Sequence, residues 1–352
     1  MLKKLTVENF TVFPKASFEF SPQLNVIVGD NGAGKSHLLK LCYSLAACSF
    51  AAGSAVSPPT KQELQKQLAD KLLRTLRPDT LGRLVSRKQG RGRSEVSVTW
   101  VGQRAANFSF NFASNSQSEV KLDQAPELYL ESATIFVPTR EVLSIFPGFA
   151  NAYRKRELEF DETYYDLVTA LEARPLKGAR PKDIAPIIEK LEEVMEGRIV
   201  VDNGRFYLVL TGDAKGKMEI PLVAEGIRKI AMLAYLLING ELRDKGILIW
   251  DEPETNLNPR LIKSVAEILT LLALSGVQVV TATHSLFLLR ELEIQRQALI
   301  SAGTPLVTQY FALDRRTTEE VKVKQAETLD DVEPVIALDE DLKQSDRYLA
   351  LG

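Results

Sequence analysis

The sequence predicts an α/β fold with a mixed sheet, flanking helices and short helical insertions. Near the start of the chain, the apolar strand "LNVIVG" runs into a glycine-rich loop and then a helix. In the last third, helical segments separate the strands "GILIWDEP", "VQVVTATH" and "VTQYFAL" from one another. Such alternation favours parallel strands joined by crossover helices.

The first part of the chain supplies further strands and a first insertion. "KKLTVENF" and "KASFEF" alternate apolar and polar residues, "EVSVTWVG" and "NFSFNFAS" predict a hairpin, and "ATIFVP" is another strand. Residues 51–93 form the insertion, in which Leu64, Leu68, Leu72 and Leu76 recur at helical spacing. The insertion ends in a basic loop, "SRKQGRGRS".

A second insertion, residues 150–198, is expected to hold two amphipathic helices, around residues 160–171 and 184–194. It is followed by "RIVVDNGRFYLVL", a hairpin whose turn is Asn203-Gly204. The remainder, within residues 199–352, holds three helices, a closing strand pair and an acidic tail. We expect these helices to begin at Gly226, Asn258 and Ser285.

Composition restricts the class of protein. With 352 residues, 45% of them hydrophobic, the chain can bury a large core, either as one domain over residues 1–352 or as two ordinary domains. A net charge of −2 argues against a protein that coats nucleic acid. Two cysteines, Cys42 and Cys48, are too few for a disulfide framework or a four-cysteine zinc site. Because the N-terminus lacks a signal-peptide core and the longest apolar run, residues 230–238, cannot span a bilayer, we expect a cytoplasmic protein.

The stretch "GDNGAGKS", residues 29–36, fits the phosphate-binding pattern G-x-x-x-x-G-K-[ST]. Its glycines let several backbone N–H groups face phosphate oxygens at the start of a helix. Lys35 would reach the β- and γ-phosphates, and the Ser36 hydroxyl would ligate Mg²⁺. The sequence therefore predicts a site for a nucleoside triphosphate with Mg²⁺. The candidate binding residues are Asn31, Gly32, Ala33, Gly34, Lys35, Ser36 and His37, the last of these on the helix surface.

Two further strands end in residues suited to phosphoryl chemistry. "ILIWDEPE" places Asp251 and Glu252 at the carboxyl edge of the sheet, where ligands of such sheets bind. Asp251 would hold Mg²⁺, and Glu252 would orient the attacking water. His284 ends the next strand and would bond the γ-phosphate or that water. The predicted catalytic residues are thus Glu252, His284 and Lys35. The alternative is structural, with the carboxylates capping a turn and the histidine filling space.

As a set, "LTVENF", "GDNGAGKS", "LVAEGIRKIA", "ILIWDEPETNLNP" and "TATHS" resemble the ATP-binding-cassette (ABC) type of P-loop ATPase. The resemblance is to the branch of chromosome-maintenance (SMC), RecF and overcoming-lysogenization-defect (OLD) proteins, as an AAA-family ATP-binding protein without a nuclease domain. It implies an ABC-type head that binds and hydrolyses ATP and pairs head-to-tail with a second copy around two nucleotides.

In that resemblance, Ala224, Glu225 and Gly226 occupy the family's signature, which caps the γ-phosphate bound to the partner head. Arg228 or Lys229 would add positive charge there. The usual signature serine is replaced by Ala224, which implies weak basal hydrolysis. The alternative is that "AEGIRK" only starts a core helix of a monomer. The segment "PTRE", residues 138–141, lies where the family has a lid loop and offers Arg140 or Glu141 to the nucleotide.

The rest of the chain favours a head that works with another protein. The insertions are too short for coiled-coil arms, and a nuclease would have to come from another chain. We expect a homodimer or higher oligomer that senses a trigger and regulates a separate effector, such as a nuclease, in antiphage defence. The alternative is a DNA-binding recombination or repair mediator, and a transporter motor is disfavoured. Binding to DNA would use a basic tract composed of Arg74, Arg77, Arg83, Arg87, Lys88, Arg91 and Arg93. The alternative is that this tract is only a solvated helix face followed by a loop.

Overall fold

The computed structural model describes residues 1–86, 91–178, 182–212, 216–242, 246–315 and 320–351. Its strands are β1 (Leu2–Phe10), β2 (Phe13–Glu19), β3 (Leu24–Gly29), β4 (Arg93–Trp100), β5 (Phe108–Ala113), β6 (Lys121–Gln124), β7 (Thr134–Val137), β8 (Gly197–Asp202), β9 (Arg205–Leu210), β10 (Lys217–Glu219), β11 (Ile247–Asp251), β12 (Gln278–Ala282), β13 (Thr308–Asp314) and β14 (Lys322–Ala326). Its helices are α1 (Lys35–Gly53), α2 (Lys61–Leu76), α3 (Phe146–Arg154), α4 (Glu162–Glu172), α5 (Ala185–Met195), α6 (Glu225–Ile238), α7 (Pro259–Leu274), α8 (Leu286–Ser301) and α9 (Ile336–Leu349).

A six-stranded sheet in the order β14-β13-β3-β12-β11-β7 carries the predicted parallel strands. All neighbours in it run parallel except the edge strand β14, which pairs antiparallel with β13. The strands β3, β12 and β11 are buried along their whole length, as expected of a sheet covered on both faces. The prediction of a mixed α/β sheet is confirmed.

Two antiparallel sheets flank this one. The first has the order β2-β1-β4-β5-β6 and contains the predicted β4–β5 hairpin. The second, β10-β9-β8, contains the predicted hairpin with Asn203 and Gly204 at positive φ in its turn. One apolar core holds α1 between the five-stranded sheet and the parallel sheet, and the other packs α4 to α8 on the opposite face. The apolar residues of the phosphate-loop helix are therefore enclosed by both sheets.

Gln278 joins the two large sheets at the start of β12. Its fully buried side chain accepts a hydrogen bond from the Leu2 N–H at 2.7 Å and donates to the carbonyls of Leu2 and Ser21, each at 2.7 Å. The oxygen and the nitrogen of the amide are thus both paired with backbone groups, as buried polar atoms require. This contact places β1 against the amino end of the strand that later leads to His284.

The structure differs from the predicted elements in several places, and the helices expected from Asn258 and Ser285 begin one residue later, with these residues as N-caps. The helix expected from Gly226 begins one residue earlier, at Glu225, with Ala224 as its N-cap. The acidic tail contains α9, and an additional helix, α3, spans the start of the second insertion. No residue of α9 is buried, so its sequence lacks the apolar period that predicts a packed helix. The division into one head with two insertions, residues 51–93 and 150–198, stays an interpretation of this element order.

A charge cluster joins both insertions to α1. In it, Lys71 Nζ lies 2.5 Å from an Asp166 carboxylate oxygen and 3.2 Å from one of Glu162. Burial lowers the pKa of Lys71, but Asp166 and Glu162 outweigh this effect and the pKa is raised. The cluster includes ion pairs and a hydrogen bond that reach α1, and its members are Lys40, Tyr43, Lys71, Arg74, Asp161, Glu162 and Asp166.

We expect Lys71→Met to lower the free energy of unfolding by about 3 kcal/mol, because it leaves two carboxylates partly buried without their cation. Lys4→Met is the matched control, since it removes a lysine from an exposed pair with Glu19 and should cost less than about 1 kcal/mol. Urea denaturation of both variants measures the difference. Equal losses would contradict a structural role for the cluster.

Candidate nucleotide-binding site

The phosphate loop lies between β3 and α1, at the carboxyl edge of the parallel sheet. Gly34 is the N-cap of α1 with φ 94°, and a Cβ there would lie 2.5 Å from Val12 Cγ2, so glycine is required. The buried Lys35 side chain folds back into the loop, where Nζ donates to the carbonyls of Gly29 at 2.9 Å and Asp30 at 3.1 Å. Burial lowers the pKa of Lys35. The negative charges of the nearby Glu252 and Asp251 raise it and so oppose this effect.

The other predicted loop residues lie where the pattern requires. Asn31, Gly32 and Ser36 are exposed, whereas Ala33 is buried beneath the loop. His37 is exposed in the first turn of α1, in agreement with its prediction as a helix-surface residue. The first turn of α1 thus leaves its backbone N–H groups open to an anion.

Asp251 ends β11 beside the phosphate loop. Its carboxylate is buried, which raises its pKa, while a hydrogen bond with the Ser36 side chain and the nearby Lys40 and Lys35 act in the opposite direction. Its Oδ1 atom is buried and has no hydrogen-bond partner among the described residues. A buried carboxylate oxygen without a partner, next to a serine hydroxyl, suits a divalent cation. Ser36 and Asp251 therefore fit the predicted Mg²⁺ ligands.

Glu252 and His284 come from different strand ends and meet at the same edge. His284 Nε2 lies 3.0 Å from Glu252 Oε1, and both side chains are about one-third exposed. The Thr255 hydroxyl donates to the other Glu252 oxygen at 3.3 Å. The Glu252 backbone adopts φ 50°, a left-handed conformation that turns the chain sharply after β11. The structure thus brings together the two side chains that sequence reasoning assigned to water and γ-phosphate.

Glu254 has a structural role that sequence reasoning missed. Its Oε1 atom accepts hydrogen bonds from the Thr283 hydroxyl at 2.6 Å, the His284 N–H at 3.0 Å and the Ser285 N–H at 3.2 Å. One carboxylate oxygen therefore holds the loop after β12 against the turn after β11. The only sequence sign was a third acidic residue in "DEPE".

The signature segment lies at the start of α6. Ala224 is exposed, while Glu225 Oε1 accepts a hydrogen bond from Asn256 Nδ2 at 3.0 Å. Gly226 is buried, and a Cβ there would lie 2.6 Å from Leu257 Cδ2. The glycine is therefore explained by close packing within the chain. The exposed part that could meet a second chain is the helix start at Ala224.

Lys229, one of the two residues considered for added positive charge at the signature, is not exposed to a second chain. Its side chain is fully buried, and Nζ donates to the Thr255 carbonyl at 2.7 Å. Arg228 is also engaged, since its Nε lies 3.0 Å from Glu141 Oε1. Glu141 accepts in addition from the Ser144 N–H at 3.1 Å, so its carboxylate is occupied within the chain. Arg140 is the exposed member of the lid segment.

Several residues of the basic tract are engaged in contacts within the chain. Arg74 pairs with Glu162 at 3.0 Å, Arg77 donates to the Glu159 carbonyl, and Arg93 donates to Asn111 Oδ1 at 3.0 Å. Arg83 and Arg91 are exposed. Arg87 and Lys88 lie outside the described residues.

The C-terminal segment reaches the edge of the site, which the sequence did not predict. The start of α9, with Ile336 and Glu340, lines a cavity of about 140 Å³ together with Asp30 of the phosphate loop and His284. Arg290 of α8 pairs with Asp341 of α9 at 3.2 Å. The predicted acidic tail therefore lies beside the predicted catalytic histidine.

Two family models match the chain. Residues 150–290 match a family described as "AAA domain, putative AbiEii toxin, Type IV TA system", and residues 4–51 match one described as "AAA domain". The chain is also similar to two proteins named DNA replication and repair protein RecF. It is 34% identical over 67 residues to that of Phocaeicola vulgatus and 44% identical over 52 residues to that of Desulforamulus reducens. These matches cover 19% and 14% of this chain and 17% and 14% of those relatives.

Solved SMC head domains share the fold over nearly the whole chain. A structure of an Smc head bound to the C-terminal winged-helix domain of ScpA has a TM-score of 0.56 at 14% identity, covering 94% of this chain and 98% of that one. An Smc head from Pyrococcus furiosus with an extended coiled coil, bound to the C-terminal domain of ScpA, has a TM-score of 0.51 at 12% identity, covering 99% of both. In its fold and in its AAA-domain matches the chain therefore resembles SMC/RecF-like P-loop ATPases of the ABC type. Within the residues that the structure describes, no helix is both long and apolar enough to cross a bilayer.

We expect Glu254→Ala to lower the stability of the head by about 2 kcal/mol, since the Thr283 hydroxyl and the His284 N–H lose their acceptor. ATP turnover should fall with it, because His284 loses its fixed position. Glu254→Gln keeps an acceptor oxygen and should lose less of both. Urea denaturation and steady-state ATP hydrolysis measure the two effects, and a glutamine variant as impaired as the alanine variant would refute this role.

Proposed function

We propose that the chain binds ATP with Mg²⁺, pairs head-to-tail with a second copy around two nucleotides, and hydrolyses ATP slowly. The observation that carries this proposal is the meeting of Lys35, Asp251, Glu252 and His284 at one edge of the parallel sheet. Phosphoryl transfer asks a protein mainly for positioning and for stabilisation of negative charge. Each of these side chains suits one of those tasks.

The roles follow from the position of each group. Lys35 and the open N–H groups of α1 bind phosphate oxygens, and Ser36 and Asp251 hold the cation. Bound Mg²⁺ would neutralise charge on the phosphates. Glu252 orients the attacking water and accepts its proton, and the contact with His284 fixes the direction of that carboxylate.

The start of α6 supports a second copy as the partner. Its first N–H groups and its helix dipole favour an anion, and Ala224 leaves this end exposed. The rest of the segment packs against residues 256–261 of its own chain and so holds the exposed end in place. The methyl group of Ala224 offers no hydrogen bond to a γ-phosphate, which accords with slow hydrolysis.

We further propose that the dimer regulates a separate effector protein, such as a nuclease, in antiphage defence. The support is the match of residues 150–290 to a family described as "AAA domain, putative AbiEii toxin, Type IV TA system", because a toxin and its antitoxin are separate components. An ATP-dependent change from one chain to two would supply the switch that such regulation needs.

We expect Glu252→Gln to shift from one chain of 39.2 kDa to two on addition of ATP and Mg²⁺, because ATP stays bound when the water-positioning carboxylate is lost. Adding Ala224→Arg should abolish the shift, since a long side chain at this exposed helix start would obstruct docking. Val56→Arg, at another fully exposed position, is the control and should leave the shift intact. Multi-angle light scattering measures the mass, and a mass that stays at one chain would refute the dimer.

The second candidate function is that of a DNA-binding recombination or repair mediator, which the two RecF matches favour. If it is correct, neutralising Arg83, Arg87, Arg91 and Arg93 to glutamine should weaken DNA binding and flatten its dependence on salt, by up to about one unit of slope per lost phosphate contact. Arg198→Gln, an exposed site on β8, is the control. Fluorescence anisotropy over a range of salt concentrations measures both effects. Absence of DNA binding in the unmodified protein would leave the regulator as the function.

A further inference from the structure

Lys229 of α6 is a fully buried lysine beside the proposed catalytic turn. Lysine is rarely buried completely, because its charge loses contact with water. Here Nζ donates a hydrogen bond of 2.7 Å to the main-chain carbonyl of Thr255. The side chain therefore connects the helix of the signature segment to the residues that follow Glu252.

The surroundings of the ammonium group are acidic. Burial lowers the pKa of Lys229, and the carboxylates of Glu225, Glu254, Glu252 and Glu141 oppose that effect. The interaction of a buried cation with several carboxylates offsets part of the desolvation cost. Lys229 thus stabilises negative charge on the same turn that it binds through Thr255.

Thr255 in turn holds Glu252. The Thr255 N–H donates to the Glu252 carbonyl at 3.1 Å, and the Thr255 hydroxyl donates to the Glu252 carboxylate at 3.3 Å. The turn between them contains the left-handed Glu252 backbone. A hydrogen bond to the Thr255 carbonyl therefore restrains the residue that bonds Glu252 through both its N–H and its hydroxyl.

We propose that Lys229 is a positioning residue for Glu252 of its own chain. From α6, whose N-cap is Ala224, it holds the turn that carries the catalytic carboxylate. The link to a second chain rests on the proposed dimer. In that dimer the start of α6 meets the partner's nucleotide, while Lys229, about one turn further along, meets its own catalytic turn. When the second chain docks, a shift of α6 is then transmitted through Thr255 to Glu252. This transmission couples the two nucleotide sites.

Lys229→Met tests the positioning role, because it keeps most of the length of the side chain and removes the donor and the charge. We expect kcat to fall about 10- to 100-fold, the loss that misplacement of a catalytic group by an ångström can cause, while the Kd for ATP changes less than about twofold. Lys229→Gln can still donate to Thr255 and should recover part of kcat. Lys263→Met, on the exposed side of α7, is the matched control.

Combining Lys229→Met with Glu252→Gln separates a structural defect from the loss of positioning of Glu252. If Lys229 acts through Glu252, Lys229→Met should cause no further loss of hydrolysis there, and the Kd for ATP should stay close to that of Glu252→Gln alone. A kcat unchanged by Lys229→Met would overturn the proposal. So would a rise in the Kd for ATP as large as the fall in kcat.

Mixed dimers test whether the action is within one chain. A chain with both Glu252→Gln and Lys229→Met, paired with an unmodified chain, should keep about half of the activity, because one site retains its own glutamate and lysine. When the two substitutions are placed on opposite chains, both sites should be inactive. The reverse result would mean that Lys229 acts on the partner's site. If no dimer forms with ATP, the proposed dimer is refuted. The kcat and the Kd for ATP of the Lys229 variants still test the positioning role in that case.

Discussion

The parallel pairing of β3, β12 and β11 is the constraint on which the site depends. Asp251 lies opposite Ala282, and Ala282 lies opposite Ile27, so the phosphate loop, the paired carboxylates and the histidine loop leave the sheet at one edge. The strands are buried on both faces, and a slip of one residue would move every side chain to the other core. Packing of the two cores therefore fixes the spacing of the groups that would meet a nucleotide.

Buried charges give the loops at this edge their shape. Lys35, Asp251 and Lys229 are each buried. Burial lowers the pKa of the two lysines and raises the pKa of Asp251, so in each case it favours the neutral form. Their neighbours offset this cost, through loop carbonyls at Lys35, the Ser36 hydroxyl at Asp251 and the Thr255 carbonyl at Lys229. Removing one member leaves its neighbours without compensation, so each loop is held in one arrangement. Such restraint is what a site for phosphoryl transfer requires.

The insertions belong to the same system of restraints. The pairs of Lys71 with Glu162 and of Lys40 with Asp161 join α2 and α4 to the helix that follows the phosphate loop. On the other side, Arg228 and Glu141 join α6 to the segment after β7. Because these contacts are charged and partly buried, a displacement of α1 or α6 cannot occur without changing them. Both insertions are thereby connected in space to the helix that follows the phosphate loop.

Local patterns in the sequence were sufficient for the mixed sheet, for the phosphate loop and for the emergence of Asp251, Glu252 and His284 at one edge, because strand periodicity and motif spacing extend over few residues. The sequence could not determine that Lys229 points inward, that Glu254 binds the histidine loop, or that α9 lies beside His284. Those contacts join residues dozens to hundreds of positions apart, and Lys229 has the same spacing and charge whether it faces solvent or core. Tertiary packing decided them, because burial and hydrogen-bond partners exist only once the strands and helices have been assembled.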